Sequence, residues 1–208
     1  MSESNRGWRR ALRLPAVYGL LQRAVGSSES HPRFIREHVT PQPGQRLLDL
    51  GCGTGDIVKH LPPVWYLGVD LNPLYIEEAR RRHGDRGRFE RLDIRTEAVD
   101  GGDPFDIVLA MGILHHLDDE GAHAMLRGAA HALRPEGRLV AIDPAWAPGQ
   151  PRVAKLLIGR DRGQAVRDAD GYGALARTHF DEVSVQVRGD LLRVPYTHAV
   201  LECARPTT

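Results

Sequence analysis

Short apolar runs alternate with stretches of helical composition along the chain beyond residue 40. The apolar runs lie at residues 46–50, 64–69, 88–92, 105–110 and 137–142. Helical composition is found at 74–83 and 118–133, and Asp118 is a residue type that caps helix N-termini. Short continuous apolar runs are typical of parallel strands buried on both faces. The alternation therefore predicts βαβ units and an α/β fold, in which helices cover both faces of a mostly parallel sheet.

The pattern changes near the end of the chain. Val183, Val185 and Val187 alternate with polar residues, which is typical of a strand with one buried face. Residues 198–204 form another strand-like run, with no helix in between. Two successive strands that lack a crossover pair in antiparallel fashion. The sheet is therefore predicted to end in an antiparallel hairpin.

The composition is that of one globular domain: of 208 residues, 41% are hydrophobic and 26% are charged. The net charge of +1 gives no electrostatic reason to expect nucleic acid or an anionic membrane as a partner. No apolar stretch approaches the roughly 18 residues that span a bilayer. Residues 8–15 make a poor signal peptide because charges interrupt their apolar run. We therefore expect a cytoplasmic protein.

A glycine-rich loop follows the first predicted strand. Gly51, Gly53 and Gly55 let the backbone turn sharply and approach a ligand closely. The dinucleotide-binding fingerprint G-x-G-x-x-G would need glycine at position 56, where this chain has Asp56. A carboxylate there would repel a pyrophosphate but would tolerate a zwitterionic ligand with an ammonium group. The loop therefore disfavours an NAD(P)-dependent oxidoreductase, which stays as an alternative.

Aspartates end the next two predicted strands. Asp70 lies where an acidic side chain can accept both hydroxyl groups of a ribose. Asp93 is placed to accept a hydrogen bond from an adenine amino group, although it could also be a solvated strand end. Together the two residues predict a site for an adenosine, with no requirement for a phosphate.

Five segments resemble, in order, the class I S-adenosylmethionine-dependent methyltransferases. They lie at residues 48–55, 68–73, 105–109, 114–117 and 133–139. The resemblance implies a three-layer Rossmann-like sandwich with a seven-stranded, mostly parallel sheet and an antiparallel terminal hairpin strand. It also implies that S-adenosylmethionine is the cofactor and that the chain is an enzyme that transfers its methyl group.

The resemblance implies where the cofactor binds. The glycine loop would form the turn beneath it, with Asp49 near its methionine moiety and Asp70 at its ribose. The expected contact residues are Asp49, Gly51, Cys52, Gly53, Gly55, Asp70, Leu71, Asp93, Ile94, Ala110, Met111 and His115. Tyr18 is a further candidate, which would close over the cofactor's carboxylate or, equally well, pack as a core tyrosine.

Three residues are candidates for catalysis. His115 and His116 follow the fourth predicted strand, and either could act as a general base because histidine titrates near neutrality. The alternative is that these histidines cap the next helix or contact the cofactor without transferring a proton. Asp143 ends the fifth predicted strand and is placed to face the substrate.

Several absences point to a small acceptor. Residues 110–113 lack the Asn/Asp-Pro-Pro-aromatic motif of the amino-directed nucleic-acid methyltransferases. Ala110 offers no ligand to a magnesium ion, and the distant pair Cys52 and Cys203 forms no local metal site. We expect a small-molecule acceptor methylated at O, N or C, no metal and no nucleic acid. Lys59 and Lys155 are the only lysines, an arginine bias that hints at bacterial origin. We expect a role in bacterial secondary or specialised metabolism.

The predicted organisation has two parts. Residues 1–40 are expected to form an N-terminal helical lid, and residues 41–208 the cofactor-binding domain, in which 144–180 form a substrate cap. A monomer and a homodimer stay equally open. A domain that binds S-adenosylmethionine without methyl transfer, as a regulatory or cyclase-like protein, is the other alternative.

Overall fold

The computed structural model describes residues 27–160, 163, 165–192 and 194–207. Within them, seven strands form one sheet in the order β3-β2-β1-β4-β5-β7-β6. The strands are β1 (Arg46–Leu50), β2 (Trp65–Asp70), β3 (Arg88–Arg91), β4 (Phe105–Met111), β5 (Leu133–Pro144), β6 (Phe180–Arg188) and β7 (His198–Pro206). The strands from β1 to β5 pair in parallel, whereas β7 pairs antiparallel with both β5 and β6. The seven-stranded sheet and its terminal hairpin are therefore confirmed.

Five α-helices lie in the described part of the chain. They are α1 (Ser27–Phe34), α2 (Pro73–His83), α3 (Asp119–Ala132), α4 (Arg152–Ile158) and α5 (Ala169–Ala176). The side chain of Asp118 accepts the backbone N–H of Gly121 at 2.9 Å, which confirms it as the cap of α3. Asn72 and Asp168 cap α2 and α5 in the same way.

The helices cover both faces of the sheet. Successive residues of β4 point to opposite sides, so that Val108 and Ala110 join one buried apolar cluster and Ile107 and Leu109 the other. The first cluster includes residues of α3 and α5, and the second includes residues of α1 and α2. This arrangement confirms the three-layer sandwich.

A short π-helical turn, Ile35–Val39, connects α1 to the body of the domain. An ionic network fixes it to the terminal hairpin. The guanidinium of Arg188 contacts Glu37 at 2.9 Å, Nε2 of His38 at 2.8 Å and Asp190 at 2.8 Å, and Nδ1 of His38 lies 2.7 Å from Glu202. Four residues of this segment are buried, although the sequence places them in the predicted lid: Phe34, Ile35, His38 and Val39.

The segment predicted as a substrate cap has two kinds of structure. Helix α5 packs against β6 and α3, so it belongs to one helical layer of the sandwich. Helix α4 instead presents Val153 and Leu156, each about half exposed, and Trp146 just before it is also exposed. The division into lid, domain and cap stays a prediction, since residues 1–26 lie outside the described residues.

Among the described residues, no helix combines the length and the apolar character needed to cross a membrane.

Candidate functional site

The loop after β1 is closed by backbone hydrogen bonds to β2. The amide groups of Gly51 and Cys52 both donate to the carbonyl of Val69, at 2.7 and 3.0 Å. Gly51, Gly53 and Gly55 all have positive φ, the left-handed conformation that favours glycine. A Cβ on Gly51 would come within 2.0 Å of Cδ1 of Ile113, so any larger residue would displace the end of that side chain. The loop conformation therefore explains the spaced glycines.

Asp70 joins the end of β2 to this loop. Its Oδ2 accepts the amide of Gly53 at 3.0 Å, and its Oδ1 accepts the amide of Asn72 at 2.8 Å. Burial raises the pKa of Asp70, while the two amide hydrogen bonds act in the opposite direction. Each oxygen keeps a lone pair for a further donor.

A cavity of about 260 Å³ opens beside the loop at the carboxyl ends of the strands. Five residues that the sequence predicts as cofactor contacts line it together: Gly51, Asp70, Leu71, Asp93 and Ile94. Its wall is mostly apolar with a few polar groups, as is typical of a ligand site. The ends of β1, β2 and β3 therefore build one site, as expected for an open α/β sheet.

Asp93 has a partner that the sequence analysis missed. The guanidinium of Arg95 holds it in a two-point contact, with Nε 2.9 Å from Oδ1 and Nη2 2.7 Å from Oδ2. These contacts lower the pKa of Asp93 to about 2, and Arg95 itself lines the cavity. The Asp-x-Arg spacing at the strand end is the only sequence signal for this pair.

A smaller cavity of about 60 Å³ also borders the glycine loop. Asp49, Cys52, Gly53 and Met111, all predicted contacts, line it, and Gly51 borders both cavities. Residues missed from sequence also line it, among them His31 from α1. The two cavities therefore meet at the glycine loop.

Asp49 is a buried acid at the floor of the smaller cavity. The hydroxyl of Tyr66 donates to its Oδ2 at 2.6 Å. Burial raises the pKa of Asp49 to about 7, although the tyrosine hydrogen bond lowers it in part. Burial also raises the pKa of the Cys52 thiol well above its usual value, which fits a small packing residue and not a nucleophile.

Asp56 is more neutralised than the sequence suggests. It accepts the hydroxyl of Thr54 at 2.7 Å, and it lies 3.0 Å from Nη2 of Arg82 and 3.5 Å from Nζ of Lys59. The described chain has no α-helix at this point, only a 3₁₀ turn at Val58–His60. The repulsion of a pyrophosphate by Asp56, argued from sequence alone, is therefore weaker than it first looks.

Some predicted contacts do not line either cavity. Gly55 packs against Phe89, since a Cβ there would lie 2.7 Å from the phenylalanine ring. Ala110 is fully buried in the sheet. Tyr18 lies outside the described residues.

The two catalytic candidates His115 and Asp143 form a buried pair. Nδ1 of His115 lies 2.6 Å from Oδ1 of Asp143, which also accepts the backbone N–H of His115 at 3.0 Å. Burial raises the pKa of Asp143. The backbone of Gly163 covers the imidazole, since a Cβ there would lie 1.9 Å from Cδ2 of His115. This pair therefore lies behind the cavity wall and not on it.

His116 occupies the accessible position. It is exposed and lines the larger cavity beside Leu117, and its ring centroid lies 3.9 Å from that of His115. Among the residues that the structure describes, no group of three or more His, Cys, Asp or Glu side chains is arranged to hold a metal ion.

The chain is similar to known proteins over most of its length. Residues 48–139 match the family model described as a methyltransferase domain. The chain is 31% identical over 172 residues to 27-O-demethylrifamycin SV methyltransferase of Amycolatopsis mediterranei, and the match covers 79% of the chain and 60% of that protein. The comparisons support a class I S-adenosylmethionine-dependent methyltransferase. The resemblance of the five sequence segments is thereby confirmed, together with S-adenosylmethionine as the family's cofactor.

Two further comparisons agree with this family. The chain is 27% identical over 191 residues to phosphoethanolamine N-methyltransferase 1 of Triticum aestivum, and the match covers 88% of this chain and 38% of that protein. Its fold matches the crystal structure of S-adenosylmethionine-dependent methyltransferase SibL with a TM-score of 0.72 and 23% identity, over 87% of this chain and 56% of that one. The chain thus spans between about two fifths and three fifths of the length of these relatives.

Proposed function

We propose that this methyltransferase binds S-adenosylmethionine across both cavities and transfers its methyl group to O, N or C of a small molecule in bacterial specialised metabolism. The observation that carries the proposal is the shared wall at Gly51, which joins the cavity of Asp70 and Asp93 to that of Asp49 and Met111. An adenosine and a methionine linked through one sulfur have the same two-part arrangement.

The larger cavity suits the adenosine. The lone pairs that remain on the two oxygens of Asp70 would accept the ribose hydroxyls. Asp93, held by Arg95, would accept the adenine amino group, and the exposed side chain of Leu71 would pack against the adenine face. These residues fit the nucleoside without requiring a phosphate.

The smaller cavity suits the methionine end. The carboxyl groups of Asp49 and Asp56 both line it, and a carboxylate favours a nearby ammonium group. Met111 at the end of β4 lies on the same wall, towards the position expected for the sulfonium. The residues present therefore fit the whole cofactor.

When bound, S-adenosylmethionine supplies a methyl group that is already activated as a sulfonium. The role of the chain is then to hold the acceptor in line with the methyl group and to exclude water. Such positioning can supply much of the rate enhancement. An acceptor that must lose a proton needs a base, and His116 is the accessible one. His115, backed by Asp143, would reach an acceptor only if the backbone of Gly163 moved away from its ring.

Two features support a small acceptor. The names of the two curated relatives give 27-O-demethylrifamycin SV and phosphoethanolamine as the molecules on which those proteins act. The exposed apolar side chains of α4, with Trp146, follow the carboxyl end of β5 and fit the proposed cap at 144–180. The lid at 1–40, the cytoplasmic location and a monomer or homodimer complete the proposal.

The experiment is a thermal-shift series with S-adenosylmethionine, S-adenosylhomocysteine and NAD. A ligand at a hundred times its Kd stabilises by about 2.7 kcal/mol, which is a shift of about 5–10 °C for a domain of this size. We expect shifts with the first two ligands and none with NAD. A shift with NAD alone would overturn the proposal.

Turnover is measured next, as S-adenosylhomocysteine formed with a panel of small-molecule acceptors. Formation with any member supports methyl transfer. Tight cofactor binding with no product across a broad panel would favour the regulatory or cyclase-like alternative.

A further inference from the structure

A histidine from α1 borders the smaller cavity. His31 is only 8% exposed and lines this cavity together with Asp49 and Asp56. Its Nδ1 atom is buried and has no hydrogen-bond partner in the described part of the chain. A buried polar atom without a partner costs free energy, and a ligand in the cavity that His31 lines would be placed to supply the partner.

The other polar side chains of the cavity limit what that ligand group is. Asp49 and Asp56 are acceptors and favour a cation. The hydroxyl of Thr54 already donates to Asp56, and the thiol of Cys52 lies 3.7 Å from the carbonyl of Gly53. Among the described lining residues, the imidazole of His31 is therefore the side-chain donor left for an anionic group.

The position of His31 is set by contacts on either side of it. Arg33 on the same helix binds Asp190 at 2.6 Å, and Phe34 is buried in the core. The ring of His60 lies edge-on to that of His31, with 6.2 Å between centroids. A donor held in place before binding loses little conformational entropy when the ligand arrives.

We propose that His31 binds the α-carboxylate at the methionine end of the cofactor by donating its Nδ1–H. The assignment rests on the proposed function, since it places S-adenosylmethionine in the joined cavities. Burial and the neighbouring His60 lower the pKa of His31 to about 4, so the ring is neutral near pH 7. A neutral imidazole with its proton on Nδ1 donates one hydrogen bond to the carboxylate. It adds no positive charge beside the ammonium group of the cofactor.

The test compares two ligands that differ by this carboxylate. The Kd values of the full chain for S-adenosylmethionine and for decarboxylated S-adenosylmethionine are measured by calorimetry. His31→Phe keeps a ring but removes the donor. We expect it to weaken S-adenosylmethionine about 10- to 100-fold, as for a lost hydrogen bond to a charged group, and to change the decarboxylated ligand less than about twofold.

Two matched variants accompany it. His179→Phe makes the same change at a partly buried histidine that lines neither cavity, and we expect both affinities to match the wild type. His31→Asn places an amide N–H near the position of Nδ1, and we expect it to keep the preference for the carboxylated ligand. If His31→Phe does not fold, as judged by its melting curve, His31→Ala takes its place in the same comparison.

The outcomes separate the two proposals. Equal losses for both ligands, or no loss for either, would overturn the role of His31 while leaving cofactor binding intact. A wild-type protein that binds neither ligand would overturn the proposed function and, with it, this assignment.

Discussion

Oδ2 of Asp70 accepts the backbone N–H of Gly53 at 3.0 Å, and this contact ties the end of β2 to the loop that follows β1. The same carboxylate also accepts the amide of Asn72, so one side chain fixes both the glycine loop and the backbone that follows β2. The residue proposed to hold the ribose therefore has a structural role before any ligand arrives.

Asp70→Asn tests this double role. An amide presents an N–H₂ group to one of the two backbone donors, so one hydrogen bond to a charged group is lost and one repulsive contact is created. We expect the free energy of unfolding to fall by about 1–3 kcal/mol and S-adenosylhomocysteine binding to weaken at least about tenfold. Urea denaturation and calorimetry measure the two effects.

Asp181→Asn is the matched control, since Asp181 is exposed on β6. It should leave the free energy of unfolding and the free energy of S-adenosylhomocysteine binding within about 0.5 kcal/mol of the wild type. Weaker binding by Asp70→Asn with no loss of stability would show that the loop holds its shape without this carboxylate.

Asp49 makes stability depend on pH. Its pKa is about 7 in the folded protein and 3.8 without burial, so the folded state favours the protonated acid. The contribution of Asp49 is therefore fully present below about pH 4 and is lost as the pH rises to about 7. Asp49→Asn should be the more stable protein at pH 8, by about 1–3 kcal/mol, because no buried charge forms.

Urea denaturation of wild type and Asp49→Asn from pH 5 to pH 8 measures this difference. The gain should grow as the pH rises and level off above about pH 7. A difference between the two proteins that does not change with pH would contradict the raised pKa of Asp49.

The network around Arg188 should hold the π-helical turn against the terminal hairpin. Arg188→Ala leaves Glu37 and Asp190 without this partner, and the side chain of Arg188 is only 17% exposed. We expect the free energy of unfolding, measured by urea denaturation, to fall by about 1–3 kcal/mol.

Arg205→Ala is the matched control, because Arg205 and Glu182 form an exposed ion pair worth at most about 1 kcal/mol. Equal effects of the two changes would contradict a special role for the network.

Gly51→Ala should disturb both cavities at once. Gly51 has a φ of 69°, and a Cβ there would come within 2.0 Å of Cδ1 of Ile113. We expect a loss of about 1–3 kcal/mol in the free energy of unfolding and weaker S-adenosylhomocysteine binding.

Gly128→Ala is the control, because Gly128 lies in α3 with open space where its Cβ would be. That change should stabilise by about 0.5–1 kcal/mol. A neutral Gly51→Ala would show that Ile113 and the loop readjust freely.

The sequence by itself determined the architecture and the family. Apolar runs and their alternation with helices are local patterns. A strand that is buried on both faces is apolar at nearly every position, so it can be recognised in the sequence. The Asp118 cap and the end of each strand follow from residues only a few positions apart. Strand ends then meet at one edge of a parallel sheet, so Asp70, Asp93 and the glycine loop could be placed together before the structure was known.

Only the tertiary structure decided what surrounds these residues. Arg82 neutralises Asp56 from the end of α2, Gly163 covers His115 from beyond β5, and His31 reaches the smaller cavity from α1. Each contact joins residues far apart in the chain, and the periodicity of hydrophobic residues along the sequence does not predict such contacts. Burial and distance between remote groups set charge, pKa and access, and those exist only once the chain has folded.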